Sequence, residues 1–432
     1  MRISAIETKN KRTSPFVYFL IFAYFCFTFI IEFLLCDYLT KLGNEIVENV
    51  QLNWNTVVLN MFGYISYLGT LFPLLILIVV IYNYSNIYKS FIILLIFFIA
   101  HLLTNILKLV YKQKRPFFEE LNIKPLVFCY LGYGNPSGHM LMTTSIYLTI
   151  WHILYANSSF KEKKYRKYLS LSITITMLVI IFLSTLFSGF NCLNQLIFGL
   201  LIGIGIYLSF FYVLNVDLNN GHQFENNLLT NNITCIIVNA VLITTEFLLF
   251  YVLPISNHDQ WNTNIDKIDI CKNIPVQNRF ADESFLGFPI FLGNIFAFLG
   301  VKFEYYFTFQ RNSQDWNKYN FEKIEKLDDS MLSKISDDIQ IQWNHTPNLV
   351  NVVRLILILI MTTIILLPAV LISWENSIYI IFFFKFLTPV ALVSFSMFYL
   401  YKLILKKLRL INQELFNALD DFESSKNLIE NS

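Results

Sequence analysis

Cys129-Tyr130-Leu131-Gly132-Tyr133-Gly134-Asn135-Pro136-Ser137-Gly138-His139 leads directly into an apolar run that begins at residue 138. A glycine- and proline-bearing turn that passes into a bilayer-length helix places Ser137 and Gly138 in that helix's first turn. Backbone N–H groups and the positive end of the helix dipole favour an anion there. Gly138 lets the backbone approach a phosphate closely. His139 beside it stands where a leaving oxygen would take a proton. A lone histidine at a helix start is usually structural, and Lys108 and Arg115 upstream change that reading. Seven residues are two helical turns, so the two cations are expected on one face at the end of the third apolar run. Pro116 is expected to stop that helix. Arginine offers a planar fork and lysine a point charge, a pair suited to a phosphate dianion. Alone, such residues merely flank a membrane span. With the second block they describe a phosphate cradle with a proton donor.

Composition sets the surroundings. Hydrophobic residues make up 55% of the chain and charged residues 14%, with a mean hydropathy of +0.53. Soluble domains carry roughly 25% charged residues, so this is a membrane protein with the lipid bilayer as its first partner. A formal net charge of +2 does not point to nucleic acid. Cys26, Cys36, Cys129, Cys192, Cys235 and Cys271 lack metal-ligand spacing, so no metal site or disulfide framework is indicated.

Apolar runs of about 17–25 residues cross a bilayer. Ten are expected, near 15–36, 56–82, 90–110, 138–157, 168–188, 193–214, 233–254, 284–308, 351–372 and 378–402, giving an all-α polytopic bundle. The first is long and lacks a small-residue cleavage site, so it is read as a span rather than a signal peptide. Basic residues cluster in the N-terminal tail, in the 161–167 loop and after the tenth run. With ten spans all three fall on one side, expected to be the cytosol, with the motif blocks on the lumenal side. Three regions follow: 1–55 with a cytosolic tail, the first helix and a lumenal loop; 56–232 with the motif blocks; and 233–432 with the remaining helices. The last includes a cytosolic loop near 310–350 and a cytosolic tail. Four N-glycosylation sequons, at Asn83, Asn157, Asn232 and Asn344, fall at or near the cytosolic face and are expected to stay unmodified. Glu246 and Lys385 lie inside apolar runs, where charge is costly and usually paired, so contact between them is expected.

The blocks resemble the phosphatidic acid phosphatase type 2 (PAP2) superfamily, and more narrowly the glucose-6-phosphatases. The narrower resemblance rests on the Cys129, Gly132, Gly134 and Pro136-Ser137-Gly138-His139 spacing, on Arg115-Pro116-Phe117-Phe118 and on Gln195. Glucose-6-phosphatases are similar in having glutamine where the lipid phosphatases have aspartate. Asn348-Leu349-Val350-Asn351-Val352-Val353-Arg354-Leu355, Phe384-Lys385 through Pro389 to Tyr399, and Cys271 to Pro275 extend the likeness over roughly 37–405. The family has nine spans, so the first run here is extra. The resemblance implies a PAP2-type helical core around the third to sixth spans and hydrolysis of glucose 6-phosphate at the lumenal face of the endoplasmic reticulum. It implies no metal or other cofactor.

The third block departs from the family. There an arginine clamps the phosphoryl oxygens and a histidine attacks phosphorus. Aligned on Ser184, Gly189, Gln195 and Gly199, those positions here are Thr185 and Asn191. No histidine or arginine lies between Arg166 and His222, so no other register restores them. An amide nitrogen is neither nucleophile nor base. Cys192 and Ser188 lack a basic phosphate loop or an evident base. A half-site is left, of Lys108, Arg115, Ser137, Gly138 and His139, with Asn191 and Gln195 expected one helical turn apart and Gln195 orienting. Three readings stay open: a silent member that binds a phosphorylated sugar or phosphate, or holds other membrane subunits; an active glucose-6-phosphatase; and a phosphate or phosphosugar transporter.

Overall fold

The computed structural model describes residues 15–84, 87–120, 122–127, 132–153, 164–213, 240–245, 248, 289–290, 292–300, 303, 348–372 and 376–408. Every regular element among them is helical. In a bilayer no water is available to backbone groups, so a span must close its hydrogen bonds internally, as a helix does. The helices are α1 (Pro15–Asn53), α2 (Thr56–Tyr67), α3 (Leu71–Tyr84), α4 (Ile87–Tyr111), the single turn α5 (Pro116–Glu119), α6 (Gly138–Trp151), α7 (Lys164–Phe187), α8 (Leu193–Leu208) and α9 (Asn348–Leu371). A last helical run, α10, covers 378–407 with π-helical turns at Ile381–Leu387 and Ser396–Leu400.

Six helices among the described residues are long and apolar enough to cross a membrane, or seven if α2 and α3 form one broken span. The chain is a multi-pass membrane protein. The expected count of ten differs for three visible reasons. The second run divides at residues 68–70, and α6 is described for only 14 residues. Most of the seventh run and much of the eighth lie outside the described residues. The first run differs the other way, because α1 is one helix of 39 residues and not a span ending at residue 36. At 1.5 Å per residue it is about 58 Å long, against about 30 Å of hydrocarbon, so the expected lumenal loop after residue 36 is helical as far as Asn53.

The described chain divides into two compact units. The first takes residues 1–66, 115–127 and 134–219 and holds α1, α5, α6, α7 and α8. Small residues let its helices approach. A Cβ on Gly203 of α8 would meet the Leu141 carbonyl of α6 at 2.8 Å, and one on Gly43 of α1 would meet the Leu193 nitrogen at 2.6 Å. Gly199 is held between two backbone atoms, since its Cβ would lie 2.6 Å from the Ser137 carbonyl oxygen and 3.3 Å from the Leu141 nitrogen. Neither backbone atom can rotate away. Gly199→Ala is therefore expected to cost about 1–3 kcal/mol by overpacking, read as a lowered thermal midpoint of the purified protein.

The second unit takes residues 67–114, 128–133 and 220–432. Its α3 and α9 meet through Arg354, which is 1% exposed. Nε of Arg354 donates to Asn83 Oδ1 at 2.7 Å, and one Nη donates to the Asn83 carbonyl and to Asn351 Oδ1. Asn83, the acceptor of one sequon, is thus a fully buried packing residue. Lys385 Nζ donates to the carbonyls of Ala369 and Ile372 at the C-terminal end of α9, where the helix dipole favours a cation. Glu246 lies outside the described residues, as do the other three sequons, Cys271 to Pro275 and the expected loop near 310–350.

Lys108 occupies the last turn of α4 in this second unit. The expectation that Lys108 and Arg115 share one helix is corrected. The helix ends at Tyr111, because Lys112 takes a left-handed φ of 49° and its N–H returns to the Lys108 carbonyl at 2.9 Å. Such a residue ends a helix by satisfying a terminal carbonyl. Pro116 does not stop the helix either. It opens α5, at the first helical position, where its missing N–H costs nothing.

Candidate functional site

Three segments of the first unit converge. The helix α7 ends at Phe187, and Gly189, with a φ of 73°, turns the chain as its N–H caps Leu186. Residues 190 and 191 then run beneath the start of α6 before Cys192 caps α8 in an extended conformation. Gln195 sits at the third position of α8, and its Oε1 accepts the Cys192 N–H at 3.3 Å, half of a capping box. From the second segment, Ser137 caps α6, with Gly138 and His139 its first two residues. The Asn135–Pro136 peptide before it is cis. The third segment supplies Arg115, the extended residue before α5.

Asn191 joins all three. Its Oδ1 accepts Ser137 Oγ–H at 3.2 Å and Arg115 Nη1–H at 3.4 Å. Its Nδ2 donates to the Gly134 carbonyl and to Gln195 Oε1, both at 2.8 Å. A guanidinium only donates and a carbonyl only accepts, so these partners fix which end of the amide is which. Four bonds are the full capacity of a primary amide. The side chain is 1% exposed, so each bond is made away from solvent. Arg115, 4% exposed, also gives Nη1–H to the Phe190 carbonyl at 2.9 Å, which directs its guanidinium along the 190–191 turn.

The structure brings together Arg115, Ser137, Asn191 and Gln195, with Gly138 and His139 continuing from Ser137. The His139 ring lies parallel to that of Phe190, 16° between planes and 6.4 Å between centroids. The Asn191–Gln195 contact occurs as expected, though not along a helix face, because Asn191 precedes the cap of α8. The expectation of a free N–H at Ser137 is corrected, since it donates to the Gln195 carbonyl at 2.9 Å. Thr185 is not joined to this cluster by its hydroxyl, which returns to the Ile181 carbonyl of its own helix at 2.7 Å. Ser188 does the same toward the Ser184 carbonyl. Burial pushes the Cys192 thiol up, away from the thiolate a nucleophile needs. Lys108 belongs to the other unit. Cys129 falls outside the described residues.

Sequence reasoning missed Glu32, Asn135, Asn194 and the packing role of Gly134. A Cβ at Gly134 would strike the Gln195 amide, so only glycine lets this turn lie on that side chain. Glu32 of α1, 3% exposed, accepts the side-chain N–H groups of Asn135 and of Asn194. The signal was present: a single carboxylate inside the first apolar run, as unusual there as Glu246 in its own.

Comparison with known proteins gives a coarse answer. Residues 89–217, from α4 to the end of α8, match the sequence model of the PAP2 superfamily. The chain is similar to a crystal structure of a transmembrane PAP2-type phosphatidylglycerolphosphate phosphatase from Bacillus subtilis. That likeness has 20% identity and a TM-score of 0.40, and covers 46% of this chain and 98% of the other. No curated protein matches.

Proposed function

We propose that the protein is a glucose-6-phosphatase-like membrane protein that holds a phosphate group, free or on a sugar, without turning it over. The groups assigned to the anion are Arg115, the start of α6 at Gly138, and His139 as a proton donor to a bound oxygen. One observation carries the reading: at the position where the family has its nucleophile, Asn191 spends its whole hydrogen-bonding capacity on tying the motif segments together. Its nitrogen lone pair is delocalised into the amide, so it neither attacks phosphorus nor accepts a proton. Loss of a catalytic nucleophile alone lowers turnover on the order of 10⁶ in a well-measured hydrolase. The narrower likeness to glucose-6-phosphatases is supported by the Gln195 position and by the Gly132, Gly134 and Pro136-to-His139 spacing. With ten spans, the three basic segments support cytosolic termini with the motif face on the opposite side, and the glucose-6-phosphatase likeness is what points to the endoplasmic reticulum.

The test uses the full chain in lipid nanodiscs, with inorganic phosphate binding and phosphate release from glucose 6-phosphate measured side by side. Saturable phosphate binding is expected, with release no faster than that of His139→Ala. Arg115→Ala is expected to weaken phosphate binding at least about 10-fold, the scale of one lost charge-assisted hydrogen bond. Release that disappears with His139→Ala would identify a working phosphatase and overturn the silent reading. Uptake of glucose 6-phosphate into sealed vesicles without hydrolysis would replace it with a transporter.

A further inference from the structure

We infer that Glu32 is a positioning residue: from the N-terminal helix its carboxylate holds the turn before His139 and the turn carrying Asn191 in register, through Asn135 and Asn194. A carboxylate in a bilayer-crossing helix is expensive and persists where it is bonded and used. Here Oε1 takes an N–H from each asparagine, at 3.1 Å for Asn194. The two partners belong to different blocks, Asn135 two residues before Ser137 and Asn194 three residues after Asn191. A single oxygen therefore links the two turns from behind, as Asn191 links them from within.

Asn194 is also tied into α1, although the Thr40 hydroxyl shares its one proton with the Cys36 carbonyl at 2.8 Å. Its Nδ2 donates to Glu32 and to Cys36 Sγ at 3.4 Å, and its Oδ1 accepts Thr40 Oγ1–H at 3.0 Å and Cys192 Sγ–H at 2.8 Å. Glu32, Cys36 and Thr40 stand four residues apart and so form one stripe of α1. Lower on the same helix, Gln51 exchanges two hydrogen bonds with the backbone of Lys124, both at 3.0 Å, and Nε2 reaches the Phe187 carbonyl at 3.4 Å. Asn122 donates to Glu48 at 2.8 Å. One helix thus holds the segment after Arg115, the turn before His139 and the turn after α7. Far from being an addition at the side, α1 braces each of the three segments that meet at Asn191.

The inference extends the reading above, since the groups held are those assigned to the phosphate. The experiment keeps the two separate by reading backbone order directly. Hydrogen exchange of the full chain in nanodiscs is compared for the unmodified protein, Glu32→Gln and Glu32→Leu, beside inorganic phosphate binding to each. Glutamine keeps an oxygen able to accept both N–H groups, whereas leucine leaves both asparagines without it. Glu32→Leu is expected to raise exchange about 10-fold at 132–140 and 188–196, with the middles of α6 and α8 unchanged, and to weaken phosphate binding to a similar extent. Glu32→Gln is expected to stay within about 3-fold of the unmodified protein on both counts. Should Glu32→Leu not fold, Asn135→Ala serves instead, with exchange rising at 132–140 and not at 188–196. Unchanged exchange at both turns, or a rise spread evenly through α6 and α8, would overturn the brace. So would phosphate binding that the leucine variant leaves intact. A local rise with glutamine rescue, in a protein that binds no phosphate, would sustain the brace and sink the phosphate reading alone.

Discussion

Asn191→His is expected to give the protein a phosphate-releasing activity about 10³-fold or more above the unmodified chain, since on the proposed reading Asn191 stands where a nucleophile would be. The geometry favours the substitution. Nδ2 of Asn191 donates to the Gly134 carbonyl at 2.8 Å, and a histidine Nδ1–H can make the same bond. That bond would set the tautomer and leave Nε2 unprotonated, on the side where Arg115 and Ser137 now meet Oδ1. The measurements are release of phosphate from glucose 6-phosphate and capture of an acid-labile, base-stable phosphoenzyme. Both are expected to vanish when His139→Ala is added. A second substitution at Thr185 is the poorer repair. That residue is fully buried with its hydroxyl turned to Ile181, and an arginine there would carry its charge into an apolar helix. A histidine variant that folds, binds phosphate and still releases none would show that the missing nucleophile is not what limits the site.

Asn191→Leu is expected to be the most damaging single change in the first unit. Leucine fills a similar volume and makes none of the four bonds. Arg115 Nη1, Ser137 Oγ, the Gly134 carbonyl and Gln195 Oε1 each lose this partner in a place closed to water. Losing hydrogen bonds to a buried charge and to buried polar atoms costs about 3–5 kcal/mol together, after partial relaxation. The checks are a lowered midpoint of thermal unfolding and loss of inorganic phosphate binding. Asn191→Asp separates the two halves of the hub. It keeps oxygen acceptors for Arg115 and Ser137 and drops both donated bonds, so it is expected to fall between the unmodified protein and the leucine variant. A leucine variant as stable as the unmodified protein would mean that the hub contributes no net stability.

The helix start at Ser137 was legible because its information is local. A proline-bearing turn followed by an apolar run determines where a helix begins, whatever surrounds it. The same locality made α7 and α8 legible within a few residues. The Lys108–Arg115 pair was misread for a local reason that spacing does not carry, the left-handed turn at Lys112 in a residue type that rarely takes it. Asn191 and Gln195 do meet, through the cap of α8 and not along its face. Thr185 takes its family role only by alignment, and its hydroxyl is spent inside its own helix.

By itself the sequence determined that the chain crosses membranes as helices, that a helix begins beside Ser137, Gly138 and His139, and that no histidine or arginine lies between Arg166 and His222. Each of these depends on residue type and near-neighbour spacing. Only the tertiary structure decided that Asn191 is a fully bonded junction and that Glu32 reaches Asn135 and Asn194 across more than a hundred residues of chain. The reason is physical. A buried polar atom takes its partner from whatever lies within about 3 Å in space, and helix packing, not sequence separation, sets that neighbourhood.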